Sequence, residues 1–156
     1  MALVACGCDR LEIGHNRPDE AARIAKAATI SGFGRTGIAD VLDNDNPPGA
    51  DAYFIGPAPK PDPLAVVSVP TIQLEATDPP TAEYTRQHPD IDLPVAAGKR
   101  PDGCMASVTF ISNPPSSVVS EGWGNHRISI LTDEQLAAVR NHTALVIELL
   151  ISNCGW

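Results

Sequence analysis

Apolar and polar positions alternate most cleanly in "CMASVTFIS", residues 104–112, where Ala106, Val108 and Phe110 fall on one side of an extended chain. That period of two predicts a β-strand with one buried face. "AYFI", 52–55, predicts a shorter strand, and "LAVVSVPTIQLEA", 64–76, is the first strong β signal in chain order, with Pro70 marking a bulge or an edge. "NPPSS" turns the chain, and "VVSEGWGNHRISIL" brings it back.

Helical spacing shows in two places. Pro18 suits a first helical turn, and Asp19 and Glu20 suit its positive end. Ala21, Ala22, Ile24, Ala25, Ala27 and Ala28 continue a small-residue helix that Gly32 ends. Thr132 and Gln135 form a capping-box pair, followed by Leu136, Val139, Thr143, Val146 and Leu150 at spacings of 3, 4, 3 and 4. Leu145, Ile147, Leu149 and Ile151 widen the stripe until little polar face remains, so such a helix must be buried. It lies either under the sheet or in an oligomer interface. Leu136, Val139, Val146 and Leu150 are the interface candidates. The β-branched content leaves a buried strand after Asn141 as the alternative.

These patterns predict an α+β fold: a β-rich domain with long proline-rich extended segments, one short N-terminal helix and one apolar C-terminal helix. Residues 1–17 read as an arm, 18–63 as a helix and turn-rich linker, and 64–156 as the β-rich domain with its closing helix. Residues 77–103 read as a long irregular excursion within it.

Composition sharpens the picture. Fifteen prolines in 156 residues interrupt any long helix, so extended segments must bury their apolar side chains against something else, such as a partner subunit. Lys and Arg total 11 against 19 Asp and Glu, and lysine stands only at 26, 60 and 99, which speaks against nucleic acid and anionic membrane surfaces. The longest apolar run, "ALVIELLI", is too short to span a bilayer as a helix. Leu3-Val4-Ala5-Cys6 has the letters of a lipobox, but the five residues before the cysteine hold no positive charge and no apolar h-region.

"GFGRTG", 32–37, satisfies a dinucleotide-loop pattern, yet a helical pattern precedes it and Pro47-Pro48 cuts short the segment after it, so it reads as a turn. "VLDNDNPPGADAYF" resembles the calcium-binding linker of cadherin repeats. That resemblance implies Ca²⁺ ligands at Asp43, Asn44, Asp45 and Asn46, joined by Asp78 of "EATDPP". The bland alternative is an Asx-rich turn. Cys6-x-Cys8 with His15 lacks the usual zinc spacing, and His88, His126 and His142 sit in no nucleophile signature. A small cysteine- or zinc-dependent enzyme is therefore the third reading. Cys6, Cys8, Cys104 and Cys154 are instead candidates for inter-subunit disulfides, since three of them lie near a terminus where one subunit reaches another.

"EIGHNRPDE", 12–20, resembles the Ile-Gly-His-Asn segment near the N-termini of small proteins encoded by phages and prophages of alphaproteobacteria. The resemblance rests on Ile13, Gly14, His15, Asn16 and Pro18. It implies an accessory structural protein of a tailed phage particle: a capsid decoration, cement or linking protein, not an enzyme and needing no cofactor. Such a protein would be made in the bacterial host cytoplasm, assemble as a homo-oligomer (a trimer by geometric analogy), and contact the major capsid or other virion proteins. A calcium-binding interaction module is the alternative.

Overall fold

In a computed structural model of the chain, residues 18–41, 49–120 and 126–154 are described. The first helix, α1 (Pro18–Ala27), begins at the expected proline. Its Ala21, Ile24 and Ala25, with Ala28 just beyond, are buried against the sheet. Alanine on that face lets the helix lie close to the strands at little cost in side-chain entropy. Gly32 then takes a left-handed φ of 80°, a conformation in which a Cβ would be strained, and turns the chain into the sheet.

The remaining elements are β1 (Thr29–Ile30), β2 (Gly34–Val41), β3 (Gly49–Pro57), α2 (Pro63–Val66), β4 (Val67–Ser68), β5 (Glu75–Ala76), α3 (Ala82–Gln87), β6 (Pro94–Lys99), β7 (Met105–Ile111), β8 (Ser117–Ser120), β9 (His126–Ser129), α4 (Asp133–Arg140) and β10 (Ala144–Ser152). Six strands form one sheet in the order β2-β3-β10-β7-β6-β5, with every neighbouring pair antiparallel. β1 pairs with β4, and β8 with β9, as separate two-stranded ribbons. The α+β, β-rich class expected from the sequence is what the chain adopts. Among the described residues, no helix is long and apolar enough to cross a membrane.

Period-two alternation sorts each central strand onto two faces. Ala50, Ala52 and Phe54 of β3, Ile147, Leu149 and Ile151 of β10, and Ala106, Val108 and Phe110 of β7 face α1 and form the main core. Tyr53, Val146, Ile130 and Leu131 form a second core on the opposite face, closed by Ile55, Ile111, Leu136 and Val139. Each fully buried Leu, Ile or Phe here contributes roughly 1.5–3 kcal/mol relative to exposure.

The expected apolar C-terminal helix is corrected. The capping box forms as read: Gln135 N donates to Thr132 Oγ1 at 3.2 Å, and Thr132 N donates to Gln135 Oε1 at 2.9 Å. The helix stops at Arg140, because His142 adopts φ 57° and the Thr143 amide and hydroxyl both turn back onto the Ala138 carbonyl. Residues 144–152 are the alternative strand. β10 lies between β3 and β7 with core on both faces, and a strand covered on both sides carries a continuous apolar run instead of alternation.

Three further expectations change. Residues 64–76 form no long strand; they break into α2, β4, a Val69–Ile72 bridge around Pro70 and Thr71, and the two-residue β5. Pro70 has no ladder donor, and Thr71 after it takes a positive φ of 65°, so the extended run is broken at its middle. Residues 77–103 are not wholly irregular, since they contain α3 and β6. Residues 18–63 are not a linker to a later domain either, because β2 and β3 belong to the same sheet as β10 and β7. The N-terminal arm, 1–17, lies outside the described residues.

Candidate functional site

The polar residues that break the apolar pattern of the central strands gather on the second face. In β3 the alternation leaves Asp51, Tyr53 and Ile55 on that side. Tyr53 stands directly opposite Glu148 of β10, and Glu148 is in turn opposite Thr109 of β7. Asp51 faces Leu150, one step along the ladder, which makes it the diagonal neighbour of Glu148 at roughly 7 Å between Cβ atoms. The Tyr53 hydroxyl donates to Glu148 Oε1 at 3.1 Å. Tyr53 is 4% exposed and Thr109 7%, while Asp51 and Glu148 are half-buried beside them.

Two carboxyls in such a setting resist ionisation. Burial, reinforced by the Glu148 charge, pushes the Asp51 carboxyl up to about 7. Burial also raises Glu148; the Tyr53 hydroxyl bond opposes that rise, and the charge of Asp92 adds to it. The Tyr53 hydroxyl is pushed upward too, by burial first and then by the charges of Asp51 and Glu148, so it remains a neutral donor. Burial thus favours the neutral form of Asp51, while Glu148 keeps its hydrogen bond from the Tyr53 hydroxyl. Asp92 itself is pinned: its two oxygens accept from the Ser112 amide at 2.8 Å and hydroxyl at 2.7 Å, fixing the chain before β6 to the end of β7. The strip sets two carboxyls, one of them accepting from a tyrosine hydroxyl, where burial favours their neutral forms. Among the described residues, no group of three or more His, Cys, Asp or Glu side chains is placed to hold a metal.

The residues singled out from sequence are not brought together. Cys104 and Cys154 are bonded to each other within the chain, 0% and 1% exposed, so as inter-subunit cross-linkers they are corrected. Their bond ties the chain entering β7 to the chain leaving β10, neighbouring strands whose register already places Met105 opposite Ser152. Neither sulfur is a thiol, which removes both as nucleophiles. Cys6, Cys8, His15 and the loop of Asp43, Asn44, Asp45 and Asn46 lie outside the described residues, and Asp78 is exposed. Leu136, Val139 and Val146 close the chain's own second core, and Leu150 is half-buried beside Asp51. The turn reading of "GFGRTG" is corrected for most of its length: Gly32 lies in the turn, but Gly34–Gly37 open β2 and pair with β3. His88 and His142 are exposed and far apart in the chain, and His126 lies in β9.

Sequence reasoning missed the Asp51–Tyr53–Glu148 strip. Its signals were present: Glu148 is the one acid inside "ALVIELLI", and Asp51 and Tyr53 share the parity opposite to Ala50, Ala52 and Phe54. No protein-family model, no curated protein and no solved structure matches this chain.

Proposed function

We propose that the protein is an accessory structural component of a tailed phage particle, of the decoration, cement or linking kind, that works outside a reducing cytoplasm. The observation that carries the reading is the buried Cys104–Cys154 bond, because structural disulfides persist in oxidising surroundings and a particle released from its host enters them. The Ile-Gly-His-Asn segment at 13–16 supports the same origin. The described residues complete two cores of their own, so the proposed contacts to capsid or other virion proteins fall to the segments outside them, and inter-chain bonds to Cys6 and Cys8.

The test is quantitative mass spectrometry of particles banded from an induced alphaproteobacterial lysogen that carries this gene. The expected result is the chain at a fixed ratio to the major capsid protein, in copies that survive a second banding. Its presence in the lysate but absence from the banded particles overturns the proposal.

A further inference from the structure

Asp92, bonded to Ser112, also lines a cleft of about 200 Å³ between the α3 segment, β6 and β7. Phe110 and Leu93 line it with apolar surface, and the Tyr84 and His88 rings, 4.6 Å apart between centroids, flank it. Ile91, 50% exposed, stands at its lip. The Lys60 ammonium is held over the Phe110 ring at 5.4 Å from the centroid. Among the described residues Lys60 takes part in no ion pair, although the chain carries a net charge of −8.

We propose that this cleft binds a small organic carboxylate with a planar apolar body, of about the size of benzoate or phenylacetate. Its volume falls below the range of drug-sized pockets, so it admits roughly one ring and a short substituent. The rings offer faces and edges for an aromatic partner. Lys60 supplies the charge complement: cation–π contact with Phe110 stations the ammonium at the apolar wall without neutralising it, leaving its N–H donors for a carboxylate. Asp92, the acid that lines the cleft, has both oxygens engaged by Ser112. The walls are set in advance. Thr81 caps α3 by accepting from the Tyr84 amide at 3.2 Å, and the Ser112 bonds fix the segment carrying Ile91 and Leu93. Little ordering is therefore left for binding to offset. This site is separate from the particle reading and stands or falls without it.

The test uses the intact chain and benzoate, phenylacetate and benzylammonium as probes, titrated to millimolar concentration while backbone amide resonances are followed by NMR. Saturable shifts confined to residues around 60, 84–93 and 110 are expected for the two carboxylates, and at least roughly tenfold weaker shifts for benzylammonium, which has the shape without the charge. Lys60→Gln, at an exposed position, should keep the melting temperature and weaken carboxylate binding by roughly tenfold. Tyr84→Ala should weaken it while leaving the fold intact, since Tyr84 is 38% exposed. Absence of saturable shifts, equal binding of benzylammonium, or an unchanged affinity in Lys60→Gln overturns the proposal.

Discussion

The Tyr53 hydroxyl donates to Glu148 across the β3–β10 ladder at 3.1 Å, joining residues 95 positions apart in sequence and directly opposite in register. The bond satisfies a half-buried carboxyl that would otherwise be costly to cover, and it leaves Asp51, one diagonal step away, without the same donor.

That asymmetry predicts a pH dependence. Asp51 has a folded value of about 7 against an ordinary 3.8, so the folded chain binds more protons than the unfolded one between those limits. Its contribution is fully present below about pH 4 and is lost as pH rises through 7. Glu148, also raised, acts in the same direction. Glu20 and Asp102 are held low by hydrogen bonds to Arg100, and their contribution is lost instead as pH falls through their folded values. Thermal melts should therefore show greater stability near pH 5 than near pH 8. Asp51→Asn should flatten that slope and raise the melting temperature at pH 8. Equal slopes in the two proteins would remove Asp51 as the cause.

Breaking the disulfide should destabilise the chain substantially. The Cys104–Cys154 bond spans 50 positions, and the loop-closure model gives about 4 kcal/mol for a loop of that length. Urea midpoints with and without reductant, and for Cys104→Ala with Cys154→Ala, measure it. Peptide mapping without reduction should recover the 104–154 pair from single chains; recovery of either cysteine bonded to Cys6 or Cys8 would contradict the pairing.

Gly98→Ala should loosen the edge of the sheet. A methyl group at this position in β6 would run into the Gln73 carbonyl and the Ile72 side chain, one of them backbone that cannot swing aside. Overpacking of this kind costs about 1–3 kcal/mol. Hydrogen exchange should quicken at Glu75, Ala76 and their β6 partners first, while β3 and β10 stay protected. Uniform loss of protection would argue for global strain.

Two adjacent leucines separate strand from helix at residues 144–152. Leu149 is fully buried in the main core, and Leu150 is half-buried beside Asp51. Leu149→Ala should cost about 2–5 kcal/mol, and Leu150→Ala distinctly less. A continuous helix in the 136–139–143–146–150 register would reverse that order.

The same pair shows what the sequence makes legible. β7 could be read directly because it alternates, with Ala106, Val108 and Phe110 buried and Met105 exposed. The start of α4 could be read because a capping box is a local motif of four residues. β10 could be read only as one of two alternatives, because burial on both faces erases the period that distinguishes strand from helix. The Asp51–Tyr53–Glu148 strip depends on β3 and β10 becoming neighbours, and no local pattern encodes that pairing. The 104–154 bond was hidden for a related reason: the proximity of one sulfur to the chain's end suggested reach toward another subunit, whereas β10 carries it back beside the start of β7.

The position of β10 also governs when this molecule can be built. The strand at the middle of the sheet is made after every strand it joins, so β3 and β7 wait on the ribosome with no bridge between them until residues 144–152 have been synthesised. Contacts this distant in sequence close slowly. A nascent chain halted before residue 144 would hold the segments of α1 to α4 but leave the β2–β3 and β5–β6–β7 groups unjoined, open to capture by chaperones or by one another.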